Sequence, residues 1–295
     1  MSTLLCLGLG YCARYYAAEF GTRFDRLIGT SRTPKPAGNV EMLAFDGAPS
    51  DAVRAAVADA THLLISAGPS EAGDPIIASL AKNIAAATKL EHIVYLSALG
   101  VYGDHDGAWV DETAATIPAH ERGGARLAAE QAWQALGKQH GVPVAVLRLA
   151  GIYGPGQNAF TRLLAGRAHR LIKPGHVFNR IHVSDIAQAI DAAFAQRADG
   201  IVNVTDDEPA AYSDQVLLAA ELLGVAPPPE LTMEEARQVM TPFALSFYSG
   251  CVRVRNDKLK RELGVKLRYP TYREGLRALF DEGYEARDPL TRFTQ

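Results

Sequence analysis

Six residues near the start of the chain, Gly8-Leu9-Gly10-Tyr11-Cys12-Ala13, have the types and spacing to hold a diphosphate. They close an apolar run, Thr3–Leu7, and open a helical stretch, Tyr11–Phe20. Gly8 allows a tight turn, and Gly10 lets the backbone approach an anion without a Cβ in the way. Ala13 is small enough to keep helix and strand close, while the helix N-terminus offers free amides and a partial positive charge. A lone G-x-G-x-x-A string is weak; its strand-turn-helix setting, followed by further strand-helix units, gives it weight. Gly8, Gly10, Tyr11, Cys12 and Ala13 are therefore expected to hold a dinucleotide cofactor, with Ala67 and Gly68 at the end of a later strand beside it.

The adenosine side carries a second signal. A site built for NAD places Asp or Glu at the end of the second strand to bind the ribose hydroxyls. Here the residues are Thr30, Ser31 and Arg32. Hydroxyls followed by a guanidinium suit a 2′-phosphate, which favours NADP with NAD as the alternative. Arg32 and Lys35 also fit a solvated loop beside Pro34 and Pro36. Asp46, ending the third strand, suits either the adenine amino group or a turn before Gly47.

These residues need a scaffold. Strands are expected at Thr3–Leu7, Arg26–Thr30, Val40–Phe45, His62–Ala67, His92–Ala98 and Pro143–Leu149, with helices at Tyr11–Phe20, Ser50–Ala58, Asp74–Lys89 and Pro118–His140. Asp74-Pro75 makes a good helix start, since Asp caps free amides and Pro tolerates the first turn. Strands that hardly alternate in polarity are expected to be parallel and covered on both faces. The fold class is α/β: a Rossmann-type doubly wound parallel sheet with a smaller, mostly helical C-terminal substrate lid. After residue 150 come a YGPGQN loop, a helix at about 159–168, a strand Phe178–Val183, a helix capped by Ser184-Asp185 and running to about Gln196, and a strand Ile201–Thr205. Thr232 with Glu235 and Thr271 with Glu274 fit capping boxes. The division expected is a cofactor-binding core at 1–150, completed by about 178–205, and a substrate region at 151–177 and 206–295.

Composition bounds the partners. With 295 residues, 30 basic against 33 acidic side chains and a net charge of −3, the chain has no polycationic surface for nucleic acid. Its apolar runs are far shorter than the ~18 residues of a membrane span. Three scattered cysteines, Cys6, Cys12 and Cys251, make neither a disulfide framework nor a metal cluster and point to a reducing cytoplasm. The opening residues MSTLLCLGLGYCAR lack a basic n-region, so a signal peptide is not expected. HExxH, P-loop and G-x-S-x-G motifs are absent, and Asp206-Asp207-Glu208 before Pro209 reads as a solvated turn. The expected partner is a small molecule.

Several stretches in order resemble the extended short-chain dehydrogenase/reductase superfamily, in its NAD-dependent epimerase/dehydratase branch. They are Gly8–Ala13, YLSALGVYGD (Tyr95–Asp104), LRLAGIYGPGQN (Leu147–Asn158), RIHVSDIAQAI (Arg180–Ile190), IVNVTDDEP (Ile201–Pro209) and LKRELGVKLRYPTYREGL (Leu259–Leu276). The resemblance implies an NAD(P)-binding Rossmann domain and a C-terminal region that binds nucleotide sugars or other small carbonyl and alcohol compounds. It leaves open a homodimer through the helices at Asp74–Lys89 and Pro118–His140.

The family's chemistry rests on Ser/Thr, Tyr and Lys, the last two in Tyr-x-x-x-Lys spacing. The Lys cation makes the Tyr phenol useful at neutral pH and grips the nicotinamide ribose. Aligned on these motifs, the Ser position falls on Ala98, with Ser97 its polar neighbour, and the Tyr and Lys positions fall on Arg122 and Arg126. No tyrosine lies between Tyr102 and Tyr153. Arginine stays protonated, so neither Arg122 nor Arg126 is a general acid or base. Arg126 suits a ribose or phosphate, and Arg122 an anionic substrate.

Ser97, Tyr102, Arg122 and Arg126 remain the weak catalytic candidates, with His120, Glu121 and Tyr153 as other donors; each has an ordinary structural alternative. Tyr102, Tyr153, Asn179 and Arg180 are the substrate-pocket candidates, and His182 reads as a buried structural histidine. Three functions follow: an NAD(P)-dependent oxidoreductase or isomerase with displaced catalytic groups, a non-catalytic NADP(H) sensor or scaffold, and a Rossmann protein without a cofactor.

Overall fold

The apolar runs become the inner strands of one parallel sheet. The computed structural model describes residues 1–290, so the last five residues of the expected substrate region lie outside the described residues. Strand β1 (Thr3–Leu7) is buried along its whole length. Helix α1 (Tyr11–Phe20) leads to β2 (Arg26–Ser31) and β3 (Glu41–Ala44). Then come α2 (Asp51–Asp59), β4 (His62–Ile65), α3 (Pro75–Ala85), β5 (His92–Ala98), the short β6 (Trp109–Val110), α4 (Glu121–His140) and β7 (Val144–Leu149). Beyond β7 lie β8 (Gly151–Tyr153), α5 (Ala159–Leu164), β9 (Arg170–Leu171), β10 (Arg180–His182), α6 (Val183–Ala195) and β11 (Gly200–Val204). The C-terminal stretch holds α7 (Tyr212–Leu223), β12 (Glu230–Leu231), α8 (Met233–Val239), α9 (Pro242–Ser246), β13 (Arg253–Val254), α10 (Asp257–Arg261) and α11 (Tyr272–Glu282).

The strand order is β11-β7-β5-β4-β1-β2-β3, and every pair is parallel. From β1 the chain winds outward one way to β3, then returns to β4 and winds the other way. The reversal point lies between β1 and β4, where a crevice opens at the carboxyl edge. Helices cover both faces. One core joins the sheet to α1 and α6, and the other joins it to α2, α3 and α4. Asp74 caps α3 as expected, accepting from the amides of Ile76 and Ile77 at 2.8 and 3.0 Å. Its other oxygen accepts from the indole of fully buried Trp133 on α4 at 3.0 Å, which ties two crossover helices together. The C-terminal region has its own small cores, one under α5, α7 and α11 and one beneath α8 and α9.

Some expected boundaries shift for local reasons. The helix expected from Pro118 starts at Glu121, because His120 is extended and serves as its N-cap. The strand expected at Phe178–Val183 contracts to β10, since Val183 already belongs to α6. Ser184-Asp185 does not cap α6. His182 does, its Nδ1 accepting from the Ser184 amide at 3.2 Å. Asp185 is fully buried and accepts instead from the amides of Arg268 and Tyr269 at 2.6 and 3.2 Å. Both capping boxes form, at Thr232–Glu235 and Thr271–Glu274.

Candidate functional site

Backbone geometry builds the site before any side chain enters it. Gly8 has φ +95°, and a Cβ there would stand 2.7 Å from the Ala67 amide nitrogen at the end of β4. Only glycine brings the β1 turn that close to β4. Gly10 is exposed and caps α1 without a side-chain acceptor, so the first amides of the helix face the crevice uncapped. Cys12 and Ala13 are buried beneath the turn, and burial pushes the Cys12 thiol up to about 12. Tyr11 donates its phenol to the Pro155 carbonyl at 3.0 Å, joining α1 to the loop after β8. This cradle fits a dinucleotide diphosphate, the anion that a free helix N-terminus and a glycine turn accept.

The adenosine side divides the expected residues. Thr30 is buried and its hydroxyl accepts from the Gly8 amide at 2.9 Å, so it clamps the turn. Ser31 ends β2 with a hydroxyl that has no partner. Arg32 is exposed and makes no ion pair among the described residues. Asp46 is exposed and accepts from the Ala48 amide at 3.2 Å, closing the turn at Gly47.

At the other end of the crevice, Arg126 reaches from α4 across the carboxyl ends of β4 and β5. Its Nη1 donates to the Leu96 carbonyl at 2.8 Å. Its Nη2 lies 2.9 Å from where a Cβ on Gly68 would stand. Arg122, one helical turn earlier, is exposed, and its guanidinium lies 4.7 Å from the centre of the Phe243 ring on α9. His120 lies 2.7 Å from Ser249 Oγ. The N-terminus of α4 thus meets the segment around α9.

The other candidates are committed elsewhere. Ser97 is buried and donates to the Glu130 carboxylate. Glu130 in turn pairs with Arg148, whose Nη2 stands 2.8 Å away, and both are buried. Tyr102 is fully buried, donates to Asn203 Oδ1 at 2.8 Å, and has the Arg148 guanidinium 4.8 Å from its ring. Tyr153 is packed under α11 against Gly275, and burial raises its phenol further above the usual range. Asn179 donates to the Val252 carbonyl at 2.9 Å and accepts from the Val254 amide at 3.0 Å. Arg180 is buried and donates to the carbonyls of Phe178, Ala210 and Ala211. His182 is buried between Tyr153 and Tyr269, and desolvation pushes its imidazole down to about 3. Tyr95 on β5 stacks on Trp133, with its phenol pushed up to about 12 by burial. The structure therefore brings Gly8, Gly10, Ala67, Gly68 and Arg126 together. It places Ser97, Tyr102, Tyr153 and Arg180 in packed interiors and leaves Asn179 half-buried.

Residue types alone did not single out Glu130, Arg148, Phe243 or Phe247. The buried pair had one trace in the sequence, an Arg inside the apolar strand LRL. The α9 aromatics had none. A cavity of about 360 Å³ lies apart from the glycine turn, lined by Tyr15, Glu19, His182, Arg268, Tyr269 and Arg287 among others.

The profile of the NAD dependent epimerase/dehydratase family matches residues 75–205. That match runs from α3 to just past β11. A functionally unknown conserved protein from Silicibacter pomeroyi DSS is 45% identical over 96% of this chain and 100% of its own, with a TM-score of 0.87. A 3-diazoavenalumate denitrifying reductase from Streptomyces sp is 32% identical over 137 residues; the match covers 44% of this chain and 45% of that reductase, less than half its length. UDP-glucuronic acid 4-epimerase from Bacillus cereus, solved in complex with NAD, shares the fold at a TM-score of 0.73, 14% identity, and 99% and 100% coverage. Among the described residues, no helix is long and apolar enough to cross a membrane.

Proposed function

We propose that the chain binds a nicotinamide dinucleotide, NADP in preference to NAD, and acts as an oxidoreductase or isomerase on a small carbonyl or alcohol compound. The observation that carries this reading is the joined pair of features at the crevice. An uncapped α1 N-terminus sits over the Gly8 turn, and the Arg126 guanidinium spans Leu96 and Gly68 at the far end. The diphosphate is held by the turn and the first amides of α1, and Arg126 takes the nicotinamide ribose. Arg32 faces the 2′-phosphate. Residues 1–150 with 178–205 carry the cofactor, and 151–177 with the segment after 206 carry the substrate.

When bound, the nicotinamide supplies or accepts a hydride. The chain's own part is electrostatic. Arg122 and Arg126 stabilise negative charge on the substrate through their guanidinium donors. Ser97, held by Glu130, and Tyr102, held by Asn203, keep the floor of the crevice rigid. Because their protons are already donated inward, proton exchange is left to solvent at the open mouth.

The test is cofactor turnover with the full chain over a panel of small aldehydes, ketones and sugar nucleotides. Reproducible NADPH oxidation or substrate isomerisation, lost in Arg126→Met, supports the reading. Dinucleotide binding without turnover on any substrate would instead favour a sensor. That second reading rests on Arg122 standing where the family carries its Tyr.

A further inference from the structure

The mouth of the crevice carries a chemical bias of its own. Phe243 on α9 and Phe247, its C-cap one turn on, form an edge-to-face pair with ring centroids 5.0 Å apart, and each is 54% exposed. Ile117, on the loop before α4, is 52% exposed. Exposed aromatics grouped beside a crevice mark a surface that a ligand covers more often than one left to water. The Arg122 guanidinium over the Phe243 face is weakly held there, since an exposed cation–π contact contributes little, and no acid pairs with it among the described residues.

We infer that this mouth binds the substrate as a compact aryl or conjugated carboxylate, with Arg122 on the carboxylate and Phe243 and Phe247 against the planar body. The inference rests on the dinucleotide reading of the crevice and narrows its substrate. Two features decide between ligand classes. First, a planar anion satisfies the guanidinium and both rings at once, by a forked hydrogen bond and by ring stacking. Second, the spacing is short. Arg122 and Arg126 stand one helical turn apart, with Cβ atoms about 5–6 Å from each other. The anionic and aromatic groups therefore sit beside the reacting carbon. In a sugar nucleotide the sugar ring and a diphosphate separate the base from that carbon, so its base cannot fill the Phe243 surface while its sugar reaches Arg126. Charge that develops on a conjugated acid spreads over the π-system toward the guanidinium.

The experiment is calorimetric titration of the full chain, alone and with NADPH, using four probes: trans-cinnamate, cinnamamide, cyclohexanecarboxylate and UDP-glucose. Cinnamate is expected to bind at least ten-fold more tightly than cinnamamide or cyclohexanecarboxylate. Arg122→Gln should weaken cinnamate at least ten-fold, and Phe243→Ala five-fold or more, with Arg122→Lys retaining part of the affinity. Both residues are exposed, so the variants are expected to fold, and circular dichroism checks that. Cinnamate binding unchanged in both variants, or UDP-glucose binding more tightly than cinnamate with the same dependence on Arg122, overturns the inference. NADPH affinity is read separately by nicotinamide fluorescence. If NADPH fails to bind while cinnamate still depends on Arg122 and Phe243, the dinucleotide reading falls and the aryl-acid site stands; the opposite pattern removes the site alone.

Discussion

Replacing Glu130 by Gln tests whether the floor of the crevice depends on one buried charge pair. Glu130 and Arg148 are both almost wholly buried, 1% and 2% exposed, with Arg148 Nη2 at 2.8 Å and Nε at 3.2 Å from the carboxylate. Arg148 Nη1 already has no hydrogen-bond partner. The amide would leave the guanidinium uncompensated away from water. Breaking a buried pair from one side costs about 3–5 kcal/mol. That is a large part of the roughly 5–15 kcal/mol by which folded proteins are stable. Urea unfolding followed by far-UV circular dichroism measures it. The double variant Glu130→Gln with Arg148→Met should recover most of the loss, because an apolar replacement removes the stranded charge along with its partner. A single-variant cost under about 1 kcal/mol, the range of an exposed pair, or a double variant less stable than the single one, would refute the reasoning.

Gly8→Ala should weaken NADPH binding at least ten-fold, because its Cβ meets the Ala67 backbone at 2.7 Å and φ is +95°; fluorescence titration reads it. Arg32→Ala should lower affinity for NADPH by about ten- to hundred-fold and leave NADH unchanged, since a charge-assisted phosphate contact of about 1.5–3 kcal/mol is lost; unchanged affinity for both cofactors would assign Arg32 to the loop. The stretch at 206–208 is not wholly the solvated turn expected: Asp206 is 1% exposed, and burial raises its carboxyl to about 8. A folded value above the unfolded one near 4 means stability is full below pH ~4 and lost as pH rises through about 8. Asp206→Asn should therefore raise the urea midpoint more at pH 8.5 than at pH 5 by about the same denaturation assay; an equal shift at both would remove the titration from the account.

The sheet was legible because buried parallel strands leave unbroken apolar runs, and Gly8 was legible because its turn leaves backbone no alternative. Asp74-Pro75 specified its helix start locally. What escaped was set by contacts distant in sequence. Asp185 looks like a helix cap but is taken by the amides at 268–269, leaving His182 to cap α6. Tyr102 sits in a glycine-rich turn that gives no hint of Asn203, its partner 101 residues on. Arg180 reads as a pocket cation, yet three carbonyls around β10 and α7 consume it. Phe243 and Phe247 acquire meaning only because α9 folds over the start of α4.

The central claim is the dinucleotide seat spanning the Gly8 turn and Arg126. Calorimetric titration of the wild-type chain and of Arg126→Met with NADPH tests it most directly. The account predicts saturable binding at one site per chain, with affinity reduced ten-fold or more in Arg126→Met. Absence of saturable binding to NADPH and NADH alike, or binding indifferent to Arg126, would contradict it.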